Sequence, residues 1–409
     1  MQRPPLAGRR IIELGTMVAA PFAAHICSQL GAEVIKVEPP SGDPTRSLVR
    51  GGPSGTFIAY SHGKKSVCLD LAKPQGHAAL RKLLKTADAL VHNLSPKAAR
   101  KLKLTPEDCK AVNPRLIYCH IRGFGAGPLQ EELASNPVAE ASTGVMETNR
   151  VGGRPSRLGP SYHDQFAGAY AVIGMLASML QSAEGRASEP VEVGLYETGL
   201  HVASRDLVGV QLKTQLLGRP EREPHGEFSM PGYGAYQTRD LRWIYLLMLN
   251  DAHWLKFCEA MDVPQDESLA TLRQRKKARE RVEALVKASV GAQPFESAAA
   301  RLRASGVGFT EVLPLERVLE APQARHPGKL RPVRFRGLDF AVPEFPRGQP
   351  GEPGAASTPP PDLGEHTAAV LESAGVDAAE YQALLESSAA AEPSPDEFVW
   401  AAAPTRRPP

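Results

Sequence analysis

The beginning of the chain alternates short apolar runs with a helical pattern, and this alternation most narrows the folds open to it. Residues 10–14 form a short apolar run that is typical of a buried strand, and residues 32–37 form a second. Between them, apolar residues recur at helical spacing from Pro21 to Leu30, and Gly31 is a typical helix stop. A strand, a short helix and a strand make a βαβ unit, whose two strands run parallel.

The same alternation continues through the first half of the chain. Further strands are predicted at residues 66–71, 89–92, 116–120 and 191–194. Strands that alternate with helices predict an α/β fold with a Rossmann-like large domain and a parallel sheet. Two long helices are predicted at residues 163–182 and 196–217.

The pattern changes after Gly218. A hairpin is predicted around Arg239 and Asp240, and helices follow it, which indicates a smaller α+β domain. The last residues are rich in Ala, Pro and Ser, which predicts disorder. The predicted organisation is a large α/β domain over residues 1–224, the small domain over 225–325, a linker and helices over 326–386, and a disordered tail over 387–409.

The composition of the chain limits the classes of partner that we expect and indicates its cellular compartment. Lys and Arg together number 48 against 45 Asp and Glu, and no basic run is present, so we expect no nucleic acid partner. The 5 cysteines lack CxxC spacing, which favours reduced thiols in a cytoplasmic protein over disulfides or zinc. The histidines are scattered and no apolar stretch approaches about 18 residues, so we expect no metal and no membrane.

An ordered set of short segments covers most of the chain, although each segment alone is weakly specific. The segments are residues 5–8, 13–16, 20–22, 30–38, 42–46, 64–67, 69–71, 87–88, 113–118, 123–125, 127–128 and 363–367, with Asn93. Taken in this order, they resemble class III CoA-transferases of the CaiB/BaiF type. This family includes formyl-CoA:oxalate CoA-transferase, carnitine CoA-transferase and α-methylacyl-CoA racemase.

The resemblance assigns a nucleophile to Asp164, which follows Gly159 and Pro160 at the predicted start of a helix rich in small residues. A carboxylate can attack a thioester and form a covalent intermediate, and the positive end of the helix dipole favours its ionised form. From the residues alone, the simpler interpretation is that Asp164 only caps the helix. The resemblance favours the nucleophile and implies transfer of CoA from an acyl-CoA to a carboxylic acid.

The resemblance also implies where coenzyme A binds, as a substrate and without a metal. Val18 and Ala19 should approach the nucleotide, and Lys36, Arg46 and Lys101 are hypothesised to supply charge to its phosphates. The adenosine and pantetheine portions should lie near Leu69, Ala72, Asn93, Leu94 and Ser95.

Departures from the family pattern bear on the substrate. Phe228, Ser229 and Met230 stand where formyl-CoA:oxalate CoA-transferase has a glycine-rich loop, which disfavours oxalate and favours a larger or more apolar acyl group. Asn136 stands where racemases of the family have His, and an amide cannot shuttle protons near neutral pH, so racemisation is the weaker hypothesis. Glu140 either assists Asp164 or faces solvent.

Three hypotheses follow from the resemblance. The first is an intermolecular or intramolecular CoA-transferase, the second is an acyl-CoA racemase or isomerase, and the third is a non-catalytic acyl-CoA-binding homologue. The resemblance further implies an interlocked homodimer, in which residues 326–386 return to the large domain.

Overall fold

The computed structural model describes residues 3–49, 52–186, 189–218, 230–346 and 358–393. Its internal contacts divide the chain into two units, Met1–Leu207 with His326–Pro409, and Val208–Arg325. The second unit begins before the boundary at residue 225 that the sequence suggested, because helix Ser204–Leu217 crosses the division.

Short strands and helices alternate along most of the described chain. The strands are β1 (Arg10–Leu14), β2 (Glu33–Glu38), β3 (Lys65–Leu69), β4 (Ala89–His92), β5 (Ile117–Arg122), β6 (Arg150–Val151), β7 (Arg154–Pro155), β8 (Val191–Gly194), β9 (Gly234–Gln237), β10 (Trp243–Leu247), β11 (Gly308–Glu311), β12 (Leu330–Phe335), β13 (Leu338–Pro343) and β14 (Ala390–Ala391). The helices are α1 (Ala19–Gln29), α2 (Gly55–Ser61), α3 (Pro74–Lys85), α4 (Pro96–Lys101), α5 (Pro106–Val112), α6 (Asn136–Ser142), α7 (Val145–Thr148), α8 (Tyr162–Ala183), α9 (Leu195–Val202), α10 (Ser204–Leu217), α11 (Asp251–Ala260), α12 (Leu272–Lys277), α13 (Arg279–Gly291), α14 (Phe295–Ser305), α15 (Leu315–Val318), α16 (Pro322–Arg325), α17 (Thr367–Ser373) and α18 (Ala378–Glu386).

The first unit contains a seven-stranded sheet in the order β14-β3-β2-β1-β4-β5-β8. All neighbouring strands are parallel except β14, which runs antiparallel to β3. The predicted parallel α/β sheet is therefore confirmed. The strand order reverses between β1 and β4, and in open α/β sheets such a point leaves a ligand-binding crevice at the carboxyl ends of the strands.

Two apolar layers cover the faces of this sheet. Helices α1 and α8 pack on one face through small and aliphatic side chains, and α3, α5 and α17 contribute to the core on the other. Buried strands such as β1 and β4 are apolar on both faces, as expected for parallel strands with helices on either side.

Three predictions differ from the structure. Residues 196–217 form two helices, α9 and α10, which meet at Ala203, and the hairpin β12–β13 was not predicted. The tail was predicted to be disordered from residue 387, yet Ala390–Ala391 pair with β3 and the Nζ of Lys73 donates to the carbonyl of Ser387. These backbone contacts order the segment despite its polar composition.

The second unit has its own sheet and core. Strands β9 and β10 form the predicted antiparallel hairpin, and β11 pairs with the other edge of β10. Helices α11, α13 and α14 bury their apolar faces against it, around Phe257, Val286 and Leu302.

Helix α8 is long and apolar enough to cross a membrane by length and composition, with 33% of its most apolar window buried. Its packing against α1 and the sheet is also that of a core helix, which passes the same test. Several of its other apolar residues, such as Ile173 and Leu180, are exposed.

Candidate active site

The loops that follow β1 and β4 meet at the point where the strand order reverses. The backbone N–H of Thr16 donates to Asn93 Oδ1 at 3.0 Å, and Asn93 Nδ2 donates back to the carbonyl of Thr16 at 2.9 Å. Met17, next in the chain, has a positive φ of 65°, so the β1–α1 loop turns sharply before α1 begins. Asn93, predicted to contact CoA, is therefore a residue that joins the two loops.

The other predicted CoA residues of these loops lie at the same edge of the sheet. Val18 is half-buried directly before α1, and Ala19 is buried in its first turn. The carbonyl of Leu94 bonds the His120 ring at 2.8 Å, and Ser95 caps α4 by accepting from the N–H of Ala98. The arrangement leaves a loop-lined edge at the carboxyl ends of β1 and β4, the place where ligands bind in such sheets.

Asp164 lies in the first turn of α8, near the same edge. A Cβ on Gly168 would stand 2.8 Å from the carbonyl oxygen of Ala19, so only glycine permits this close contact between α8 and α1. Four residues of helix span about 6 Å, which brings Asp164 within one turn of the β1–α1 loop. The sequence predicts that Asp164 and Ala19 belong to one site, and the structure brings the helices that carry them, α8 and α1, into contact.

Burial and neighbouring charges set the ionisation of Asp164. Burial raises the pKa of its carboxyl to about 6, Arg157 opposes this shift, and Glu140 adds to it. Burial therefore opposes the helix end, which favours the ionised form. A carboxyl with a pKa near 6 is still mostly ionised at neutral pH and is more basic than an exposed Asp.

Asn136 and Glu140 lie beneath the start of α8. Glu140 is fully buried, so the alternative in which it faces solvent is wrong. Its Oε1 accepts from the amide of Asn136 and its Oε2 accepts from the N–H of Leu158 at 3.1 Å. Asn136 Oδ1 accepts from the N–H of His163 at 2.9 Å and, at 3.4 Å, from that of Asp164. Asn136 therefore caps α8 from outside the helix.

The ring of His163 packs against helices other than α8. Its ring is buried against α6 and α9, with Nε2 3.4 Å from Thr143 Oγ1 and 2.6 Å from where a Cβ on Gly199 would lie. Burial lowers its pKa. The predicted divergence of His163 from Asp164 agrees with this packing.

Two of the residues predicted to bind the phosphates of CoA, Lys36 and Arg46, form buried ion pairs within the protein instead. Lys36 Nζ is buried and donates to Glu13 at 2.8 Å, Asp43 at 2.9 Å and the carbonyl of Gly15 at 2.7 Å, which uses all three of its donors. Burial alone would lower the pKa of Lys36, but these carboxylates raise it. Arg46 is equally buried and pairs with both oxygens of Glu38. The prediction that Lys36 and Arg46 bind phosphate is wrong.

The remaining predicted residues are dispersed. Leu69 is fully buried and its backbone pairs with β14, so its side chain belongs to the core. Ala72 and Lys101 are exposed, and Lys101 ends α4 with its ammonium available to a ligand. Met230 is half-buried in the second unit, whereas Phe228 and Ser229 lie outside the described residues.

An ionisable carboxylate at a helix start, beside the loops at the switch point of a parallel sheet, is typical of α/β proteins that bind a ligand at the edge of the sheet. Comparison with known proteins makes the class specific. The sequence model of CoA-transferase family III matches residues 6–367, and the chain belongs to that family.

Curated relatives and solved structures agree with this assignment. A succinate–glutarate CoA-transferase of Agrobacterium fabrum is 31% identical over 67% of this chain and 71% of its own. A human succinyl-CoA:glutarate CoA-transferase is 27% identical over 90% of this chain and 85% of its own. A crystal structure of a CaiB/BaiF family protein from Brucella suis superposes with a TM-score of 0.78 at 25% identity, covering 91% of this chain and 100% of that one. The chain is therefore an enzyme of the class III CoA-transferase type, whose substrates are CoA thioesters.

Proposed function

We propose that this enzyme moves CoA from an acyl-CoA to a carboxylic acid through covalent intermediates on Asp164. The carboxylate attacks the thioester carbonyl carbon, the C–S bond breaks, and CoA leaves as a thiolate. The thiolate then attacks the Asp164 carbonyl of the mixed anhydride, which releases the donor acid and leaves an aspartyl-CoA thioester. An acceptor carboxylate repeats these steps in reverse order and leaves as the new acyl-CoA, so no proton is gained or lost.

The position and ionisation of Asp164 carry this proposal. Asp164 lies one turn from the α1–α8 contact beside the switch-point loops, where a pantetheine arm would run. Its pKa of about 6 combines ionisation at neutral pH with higher basicity, which suits a carboxylate nucleophile.

The nucleophile is tested by Asp164→Ala and Asp164→Asn. We expect turnover to fall by at least about 10³-fold while CoA binding, measured by calorimetry, changes little. Wild-type enzyme incubated with acyl-CoA alone should gain the mass of CoA on the peptide that contains Asp164, and hydroxylamine should remove it. Turnover retained by Asp164→Ala would reject the proposal.

We further propose that donor and acceptor are dicarboxylic acids of the succinyl-CoA and glutarate type. Two relatives are named for these substrates. Arg157 is exposed and close enough to Asp164 to lower its pKa, so its guanidinium can pair with the second carboxylate of such an acid. Arg157→Gln should raise the KM for glutarate at least about tenfold but leave a monocarboxylic acid nearly unaffected; equal effects on both acids would contradict this assignment.

Racemisation remains the weaker alternative. The amide of Asn136 accepts from the backbone of α8 and donates to Glu140, and an amide does not exchange protons with an α-carbon near neutral pH. Deuterium incorporation at the α-carbon of an acyl-CoA in heavy water, absent from Asp164→Ala, would support racemisation instead.

We also propose a cytoplasmic homodimer. The apolar side chains of α8 and α10 support the dimer, because residues such as Ile173, Leu180, Leu212 and Leu216 are more than half exposed. The compartment is supported by the five cysteines, all of which are buried and outside any disulfide. Light scattering of the purified enzyme at micromolar concentration tests the oligomeric state.

A further inference from the structure

The hydrogen bonds around Asn136 determine which way its amide faces. Asn136 is 3% exposed, and its Oδ1 must accept because both groups on that side are backbone N–H donors, those of His163 and Asp164. Its Nδ2 is thereby turned toward Glu140 Oε1 and donates to it. Ser161, the residue at the usual capping position of α8, makes no side-chain capping bond.

Glu140 is fixed by the same arrangement. One carboxylate oxygen is held by the Asn136 amide and the other by the N–H of Leu158, on the segment that leads into α8. Both oxygens accept from fixed donors, so the carboxylate of Glu140 is held in one orientation. Asn136 and Glu140 are four residues apart on α6, the spacing at which helical side chains meet.

We propose that Asn136 is a positioning residue for the proposed CoA transfer, and that it acts by joining the start of α8 to the buried carboxylate of Glu140. Its carbonyl oxygen fixes the backbone that carries Asp164. Its amide nitrogen keeps the carboxylate of Glu140 in place. This inference rests on the proposed role of Asp164 as nucleophile.

The arrangement favours the attack of Asp164 on the thioester, because Asp164 loses its charge in this step. A fixed anion repels the ionised carboxylate before attack but not the neutral anhydride or aspartyl thioester that follows. The charge leaves with the CoA thiolate, and the repulsion is relieved. The charged groups that act on Asp164 are Glu140 from α6 and Arg157 from the segment before α8.

Exchanging the acid and the amide between positions 136 and 140 tests the proposal. In Asn136→Asp, a carboxylate faces Glu140 without a donor between them. In Glu140→Gln, the amide that replaces Glu140 cannot accept from both Asn136 and the N–H of Leu158. In the double variant N136D/E140Q, the carboxylate at position 136 accepts from the N–H groups of α8 and from the amide nitrogen at position 140. The amide oxygen at position 140 accepts from the N–H of Leu158. Every hydrogen bond and one buried charge are therefore restored.

We expect Asn136→Asp to lower kcat about 100-fold and Glu140→Gln about tenfold, with the KM for acyl-CoA within threefold of the wild type. The double variant should recover to within about tenfold of the wild-type kcat. The acid limb of the pH profile of kcat/KM should move to higher pH in Asn136→Asp and return in the double variant. A purely structural role would change the melting temperature but not the position of this limb.

Two outcomes would overturn the proposal. One is wild-type kcat in Asn136→Asp. The other is a folded double variant whose kcat is lower than that of Glu140→Gln. If Asn136→Asp does not fold, Glu140→Gln and the double variant still decide, because the proposal requires the double variant to match or exceed Glu140→Gln. Failure of the proposed function would appear separately, as turnover by Asp164→Ala.

Discussion

The groups around Asp164 act on the ionisation of its carboxyl in opposite directions. Burial and Glu140 favour the neutral acid, and the Arg157 guanidinium favours the carboxylate, with a net rise of the pKa to about 6. Between its ordinary value of 3.8 and about 6, the folded state binds more protons than the unfolded state. The free energy of unfolding therefore falls as pH rises through this window.

This linkage predicts that Asp164→Asn stabilises the protein at neutral pH. The amide removes a charge that burial disfavours, so we expect the free energy of unfolding at pH 7 to rise by roughly 1–3 kcal/mol. At pH 4 the gain should vanish because Asp164 is then largely protonated in the folded protein. Denaturant unfolding at both pH values measures the difference, and an equal or lower stability of Asp164→Asn at pH 7 would contradict the prediction.

Arg157 gives a second prediction at the same scale. Arg157→Gln removes a charge that lowers the pKa of Asp164, so the pKa should rise further. Activity requires the carboxylate, and the acid limb of kcat/KM should move up by about half a unit to one unit. Arg157→Lys keeps the charge and serves as the matched control, whose limb should stay near that of the wild type.

The role of Asp164 as nucleophile stays a prediction from sequence, whereas other residues were misassigned. Lys36 and Arg46 fit a phosphate site because a sequence does not show burial, and in the fold both pair with carboxylates. From the sequence, Asn136 was used only as an argument against racemisation, because an amide cannot transfer protons as a His can. The four-residue spacing of Asn136 and Glu140 was the signal that could have indicated their contact, but their joint role depends on α8, which is distant in sequence.

At the scale of elements, the contact between α1 and α8 connects the predicted CoA loop to Asp164, the proposed nucleophile. Gly168 is the point of closest approach, because a side chain there would meet the carbonyl of Ala19 at 2.8 Å and the ring of Phe22 at 3.0 Å. The backbone of α1 cannot move away from a side chain at position 168 as the end of a flexible side chain could. Separation of these helices would move Asp164 away from the switch-point loops.

Gly168→Val should therefore reduce both stability and transfer. We expect the free energy of unfolding to fall by roughly 1–3 kcal/mol from overpacking, and kcat to fall more than tenfold in the protein that remains folded. Gly55→Ala is a matched control, because nothing lies within 4 Å of a Cβ at that position and the residue begins α2. Equal melting temperatures and rates for both variants would refute the role given to this contact.

The elements that the sequence predicted best are those with a strong local pattern. The βαβ start and α8 agree with the structure to within two residues at most ends, because their apolar residues repeat at strand or helix spacing. The hairpin β12–β13 also has a local signal that was missed, because apolar residues alternate on both sides of the Arg336-Gly337 turn. The split between α9 and α10 has no comparable local signal.

At the scale of the molecule, the end of the described chain completes the main sheet. Strand β14 covers the edge of β3, Lys73 Nζ donates to the carbonyls of Ser387 and Ser388, and Thr367 Oγ1 donates to that of Ala391. Ala389 and Ala390 are buried in the core that also contains α3 and α17. These contacts attach residues 387–391 to three separate elements.

Truncation tests this attachment. A chain that ends after Pro393 keeps every contact named above, and its melting temperature should equal that of the full chain. A chain that ends after Glu386 loses the β14 pairing and exposes the β3 edge, and we expect its melting temperature to fall by several degrees. Urea or thermal unfolding compares the two, and identical transitions would show that the segment contributes nothing.

The position of β14 in the chain also bears on synthesis at the ribosome. Residues 208–325 are continuous and are complete before β14 is translated, so the smaller unit has all of its own sequence first. The larger unit receives its last edge strand only after that insertion has emerged. Until then the nascent chain carries an open β3 edge, and the newborn protein is most exposed to mispairing with its neighbours during this interval.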